Sequence, residues 1–297
     1  MKLTPLKIVI IASTAAALII PLLIFNLKDP VLIVSEESFI TLYGKDRIRS
    51  QSFNSSLTLF RPVKTVVISA SAADDVIPLA VAEMSSRPYC VLFPSRYTPS
   101  ARIYKEKNPN IPVVLLRGRR PGDVTASASA GDDSSGLLYC FTDINIDFRR
   151  AALAASVLDE GKNGRIMIFY ESGYRSQVRE AFTQVQEEES ITLNTSFYTN
   201  WSSFSETPDL SCVILAGIGH EFLEKKAGIP VISFSWLDPL LQPKDVAVII
   251  NDSPWVQAVE ASRMAAAGEG GLIRSEFNVI NNENFDRKTL RKIQNSW

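Results

Sequence analysis

From Val31 onward, short runs of wholly apolar residues alternate with longer stretches in which apolar residues recur at helical spacing. The runs VLIV (31–34), TVVIS (65–69), YCVLF (89–93) and PVVLL (112–116) read as strands. Because they are apolar on both faces, parallel strands covered from each side are expected. Helices are expected between them near 45–60, 74–86 and 99–107. The stretch RGRRPGDVTASASAGDDSSG that follows has no apolar face and reads as a long loop. The alternation then resumes with LLYCF (137–141), a helix over 147–159, RIMIFY (165–170) and a helix over 173–188. It continues with ITLNTSFY (191–198), CVILA (212–216), PVISF (230–234), VAVII (246–250) and a helix over 253–267.

Such alternation is the signature of βαβ units. Two sets of units, separated near residue 142, predict an α/β protein of two Rossmann-like lobes with parallel sheets, a hinge and a ligand cleft between them. The expected divisions are a membrane anchor or signal segment over 1–29, a first lobe over 30–142, a second lobe over 143–251 and a polar tail over 273–297, while a family resemblance carried by 246–265 implies that 252–272 returns to the first lobe.

Ahead of the first strand, Lys2 and Lys7 flank a segment from Ile8 to Leu27 that is apolar except for Ser13, Thr14, Pro21 and Asn26. A helix needs about 20 such residues to cross the hydrocarbon core. A cleaved signal peptide and a retained anchor are the two readings. A cleavage site follows the apolar region, whereas Ala15, Ala16 and Ala17 lie in its middle, and no cysteine before Cys90 is present to take a lipid. Retention is favoured, and the two lysines on the short side keep that end in the cytoplasm and the rest on the periplasmic face.

Net charge is −1 with 21% charged residues, so no basic excess supports nucleic-acid binding. Cys90, Cys140 and Cys212 each sit inside an apolar strand run and read as core thiols rather than disulfide partners. Catalytic chemistry finds no footing. His220 is the one histidine, which rules out a multi-histidine metal site, and no Gly-x-Ser-x-Gly elbow occurs. The GIG at 217–219 is only a fragment of a dinucleotide fingerprint, and no phosphate loop is present, so no cofactor is expected. The adjacent carboxylates Glu36–Glu37, Asp74–Asp75 and Asp132–Asp133 read as capping or solvated pairs.

Four stretches carry a family resemblance: NIPVVLL (110–116), YCFTDINIDFRRAALAASVL (139–158), GRIMIFY followed by REAF (179–182), and VAVIINDSPWVQAVEASRMA (246–265). Together, over about residues 31–270, they resemble the type I periplasmic binding proteins and the related effector domains of lactose-repressor-like regulators. The resemblance implies that Asp143 stands at the crossing into the second lobe. It implies that Arg179, in REAF, which is similar to the family's Arg-x-x-Gly-Phe pattern with Ala181 for Gly but is one residue shorter, faces the cleft, and that Asn251 contacts ligand. It implies a hinge near 142 and 251.

Where sugar-binding members place an Asp after the first-lobe strand, Arg117 stands here; at the second such place Ser235 stands, with Asp238 three residues on. Arg117, Arg179 and Arg96 would favour a carboxylate or phosphate, which guanidinium groups bind bidentately. Ser35, directly after the first strand, and Ser95, two residues past the third, complete the expected polar set. Phe39, Tyr43 and Trp236 follow strand ends and could stack on a flat ligand, Trp236 above all, or belong to the lobe cores. The function implied is binding of a small molecule in the inter-lobe cleft for uptake through a transporter permease or for sensing. The alternative is an anchored ectodomain of the same fold that works through protein contacts.

Overall fold

The computed structural model describes residues 25, 27–118, 136–170, 172–200, 209–216, 228–234, 245–281 and 284–296. The apolar segment before Phe25, the middle of the Gly/Ser-rich loop, His220, Ser235, Trp236 and Asp238 lie outside them. Among the described residues no helix is long and apolar enough to cross a membrane.

Runs of Val, Ile, Leu and Phe that are apolar on both faces must be covered on both faces, and two sandwiched sheets result. The first has the order β11-β5-β4-β3-β1-β2, built from β1 (Val31–Glu36), β2 (Val63–Ile68), β3 (Cys90–Pro94), β4 (Val113–Gly118), β5 (Leu138–Thr142) and β11 (Gly271–Ile273). All its pairings are parallel. Its helices are α1 (Glu37–Tyr43), α2 (Lys45–Leu59), α3 (Val76–Met84), α4 (Thr98–Lys107) and, from far along the chain, α7 (Pro254–Ala267), which packs against α2, β1, β3 and β4.

The second sheet has the order β12-β10-β9-β8-β6-β7, from β6 (Arg165–Tyr170), β7 (Asn194–Tyr198), β8 (Leu210–Ala216), β9 (Val231–Phe234), β10 (Val246–Asn251) and β12 (Glu276–Val279). Only β12 runs antiparallel, beside β10. The helices α5 (Ile144–Asp159) and α6 (Arg175–Glu188) pack on each other, and α8 (Arg287–Asn295) packs on α5 and β12.

Ten expected strands are present, within three residues of their expected ends. The region read as a polar tail differs: it holds β12 and α8, and β11 begins just ahead of it. Strands of three and four residues leave no readable period, and α8 buries only Leu290 and Ile293 among basic residues. The chain therefore passes between sheets three times, after Thr142, after Asn251 and between Ile273 and Glu276, not twice as expected. Gly270 lets β11 come close to β5, since a Cβ there would stand 2.3 Å from the Tyr139 carbonyl oxygen. The three cysteines are free and buried, and burial raises their thiol pKa values, those of Cys90 and Cys140 to about 11.

Below α7 three rings stack: Phe39–Tyr43 at 5.6 Å, Phe39–Trp255 at 5.8 Å and Tyr43–Trp255 at 5.3 Å between centroids. Trp255 is wholly buried, and its Nε1–H donates to Thr65 Oγ1 at 3.0 Å. The stack joins α1 and α7 to the first sheet, so the returning helix is held by aromatic packing. Trp255→Ala is expected to lower unfolding free energy by about 3–5 kcal/mol, read from urea midpoints.

Candidate functional site

In a parallel sheet each helix runs back against its strands, so a helix that follows a crossing starts at the carboxyl edge of the sheet it joins. α5 obeys this: at its far end Asp159 accepts from Ser211 Oγ at the start of β8 and from Gly164 N. Its first turn therefore lies at the carboxyl edge of the second sheet. The first crossing leaves the carboxyl end of β5, the second leaves that of β10, and the third enters β12 at Glu276, opposite Asn251. All three crossings join carboxyl edge to carboxyl edge, and in open α/β sheets ligands bind outside the carboxyl ends of the strands.

Polar side chains gather at these crossings. Asn251, at the end of β10, is buried, and its Oδ1 accepts from the Ser253 N–H at 3.2 Å. The Tyr43 hydroxyl stands 3.1 Å from the same oxygen, 3.0 Å from Gln51 Oε1 and 2.8 Å from Ser253 Oγ. With one proton it donates to one of these three oxygens at a time. Asn251 Nδ2 is buried without a hydrogen-bond partner among the described residues. A buried amide left with an unused donor is rare unless a ligand or water completes it.

On the other side of the junction, Asp143 caps α5, accepting from Asn145 N at 3.1 Å and Ile146 N at 3.3 Å. One turn on, Asp147 accepts from Ser275 Oγ at 2.7 Å, and Arg150 Nη1 donates to the Ser275 carbonyl at 2.9 Å while lying 3.8 Å from the Asp147 carboxylate. All three residues are buried. Burial pushes the Asp147 carboxyl up to about 7; Asp252 and Asp143 add to the rise, and the Ser275 hydrogen bond and Arg150 oppose it.

A third cluster stands at the carboxyl ends of β1 and β3. Glu36 accepts from the Tyr97 hydroxyl, from Ser38 Oγ at 2.9 Å and from Arg96 Nη1 at 3.0 Å. Burial alone would raise the Glu36 pKa, but the hydrogen bonds from Tyr97 and Ser38 and the charge of Arg96 together hold it below the usual carboxylate range. The Glu36 side chain is 14% exposed and that of Arg96 50%, so the pair meets solvent at the strand ends.

The expected residues divide accordingly. Asn251 and Asp143 stand at the crossings, and Ser35, Ser95 and Arg96 at the first sheet's carboxyl edge, Ser35 buried within β1. The backbone of Arg117 pairs beside Phe141 in β4, while its side chain is outside the described set. Trp236 and Asp238 are likewise outside it.

Arg179 is exposed on α6, with its guanidinium carbon 4.8 Å from the Phe197 ring centre. The residue one turn before buried Phe182 is Val178, itself buried, so Arg179 is rotated about 100° from that inward face. Arg96 is ion-paired with Glu36, so its charge is compensated within the first lobe. Tyr43 belongs to the core stack rather than to a free ligand platform.

Glu36, Tyr97, Asp147 and Ser275 went unread as site residues in the sequence. Nearness to the end of a strand was the available signal for Glu36, the last residue of β1, but the adjacent Glu37 made it look solvated.

No protein-family model matches the sequence, and no curated protein matches it. Solved structures share its fold. An ABC transporter periplasmic solute-binding protein from Actinobacillus succinogenes 130z with bound D-allose is 14% identical, with a TM-score of 0.54 over 89% of this chain and 99% of that one. A transcriptional activator of the comK gene from Bacillus halodurans is 10% identical, with a TM-score of 0.54 over 90% and 95%. A Bacteroides fragilis protein described as a LacI transcriptional regulator is 14% identical, with a TM-score of 0.52 over 86% and 98%. The chain has the two-lobe fold of type I periplasmic binding proteins and LacI-type effector domains.

The raised Asp147 pKa has a sign that can be tested. A carboxyl at 3.8 when unfolded and about 7 when folded binds its proton more tightly in the native state. Its contribution to stability is then fully present below about pH 4 and is lost as pH rises through about 7. Asp147→Asn, neutral throughout, is expected to show a smaller fall in urea midpoint between pH 5 and pH 8 than the parent chain.

Proposed function

We propose that this chain is an extracytoplasmic binding protein that closes its two lobes on a small, hydroxyl-rich ligand. The observation that carries the reading is the buried Asn251 Nδ2, a donor without a partner among the described residues, at the point where both sheets turn their carboxyl ends to one junction. The Glu36–Arg96 pair adds to it. A carboxylate and a guanidinium side by side offer acceptors and donors together, which suits hydroxyl groups that both donate and accept. Because their charges compensate, this pair favours a neutral polyol over an acid. The allose-bound protein of the same fold agrees with that ligand class.

In this reading the segment from Ile8 to Leu27 anchors the protein with its lobes outside the cytoplasm, and the liganded form is read by a transporter permease or a sensor. Hinge closure across the three crossings would be the signal passed on.

Thermal shift against a panel of sugars, polyols, carboxylates and phosphates tests the reading. A sugar or polyol at 100 times its dissociation constant is expected to add about 2.7 kcal/mol of stability. Glu36→Gln weakens an acceptor of charge-assisted hydrogen bonds, worth about 1.5–3 kcal/mol, and is expected to reduce affinity at least about tenfold. Stabilisation by acids alone would sink the ligand class, and a panel without any effect would favour the protein-contact alternative.

A further inference from the structure

The helix α2 is amphipathic in the wrong sense. Its buried positions include Ser55, whose hydroxyl donates to the Trp255 carbonyl, and Ser56, whose oxygen accepts from Val63 N. Its outer face carries Phe53 at 62% exposure and Leu57 at 58%, with the cap residue Phe60 at 45%. Spacings of four and three residues align them in one stripe. Phe60 also adopts the left-handed conformation, φ 50°, at a helix end where glycine is the ordinary residue, so an aromatic side chain is kept there against its steric preference. A surface helix normally turns such residues inward, and a contiguous exposed apolar stripe marks an interaction surface.

The chain's own apolar segment ends on this stripe. The Phe25 ring meets Phe60 edge-on at 6.1 Å, and Lys28 Nζ lies 4.3 Å from the Phe60 ring centre. Only Lys28, Asp29 and Pro30 separate Leu27 from β1, and three extended residues reach about 10 Å. That short linker is itself fastened to the loop after α2: Val31 N donates to the Pro62 carbonyl and Arg61 Nη1 to the Asp29 carbonyl. A helix crossing the bilayer up to Leu27 would thus hold this end of the first lobe at the membrane surface.

The surrounding charge suits that place. Lys28 lies over Phe60, Arg61 follows it and Arg49 stands one turn before Phe53, against Asp29 and Asp46, of which Asp46 pairs with Arg49. Aromatic residues rimmed by cations are the composition of membrane interfaces, and the net positive charge complements anionic headgroups.

We infer that the Phe53–Leu57–Phe60 stripe rests in the interfacial layer of the bilayer and seats the first lobe there. The inference rests on the anchor reading proposed above. Seating the first lobe leaves the second, joined through the three crossings, as the one free to open and close.

The test uses the full chain in vesicles of phosphatidylcholine and phosphatidylglycerol. Asn54→Cys, beside the stripe, takes an environment-sensitive fluorophore selectively because the native cysteines are buried. Nitroxide-bearing lipids are expected to quench the label at 54 and not one at Glu180→Cys on the exposed face of α6. Phe53→Ser with Leu57→Ser, both at exposed sites and therefore compatible with folding, is expected to abolish that quenching while the protein still sediments with vesicles after alkali. A chain that sediments but shows no quenching at 54 overturns the seating and leaves the anchor intact. A chain released by alkali overturns the anchor reading, and the seating with it. Disulfide formation between unlabelled Asn54→Cys copies in place of quenching would show that a second copy covers the stripe, which also overturns the inference.

Discussion

Three stretches of backbone connect the two sheets, and each connects carboxyl edge to carboxyl edge. That constraint orders the rest of the molecule. Once strands are parallel and helices return over their faces, the next element after any crossing must begin at the same edge, so both lobes turn their loop-bearing ends toward one junction. The opposite ends, where strands begin, are left for other work: at the first lobe, the entry of the chain from its apolar segment; at the second, the docking of α8.

The junction is polar because backbone must change sheets there, and its exposed amides and carbonyls need partners. Asp143 supplies one set by capping α5, and Ser275 joins the third crossing to Asp147 and Arg150. The Asp147–Arg150 contact is loose at 3.8 Å, so desolvation outweighs attraction and the carboxyl titrates near neutrality. Tyr43 ties the first lobe to the second crossing through Asn251 and Ser253. Two different polar knots thus fasten the lobes at the crossings, and among the described residues the Asn251 Nδ2 donor has no partner.

At the strand ends of the first lobe the same logic of compensation applies to ligand chemistry. Three arginines near a cleft suggest an anion when only the sequence is read. In the folded chain Arg96 already has its carboxylate, Glu36, and Arg179 lies over Phe197 on the outer face of α6. Charge that is neutralised locally offers hydrogen bonds without a net field, a different specificity from that of an open guanidinium. Arg117 is the member of the set on which this distinction does not bear.

The strands were legible because a parallel strand covered on both faces has to be apolar at every position, and VLIV, YCVLF and RIMIFY record that directly. Long helices were legible from period, and the family resemblance gave the positions of Asp143 and Asn251 at the ends of β5 and β10. The sequence could not reveal α1, β11, β12 and α8, whose lengths or polarity leave no period to read, nor the phase of α6, where one residue separates the buried Val178 from the exposed Arg179. Nor could it pair Glu36 with Tyr97, or Tyr43 with Asn251, partners 61 and 208 positions apart. Burial is written in each side chain's own hydrophobicity and so is readable locally. Which polar groups meet depends on where the crossings bring distant segments together, and only the tertiary structure decides that.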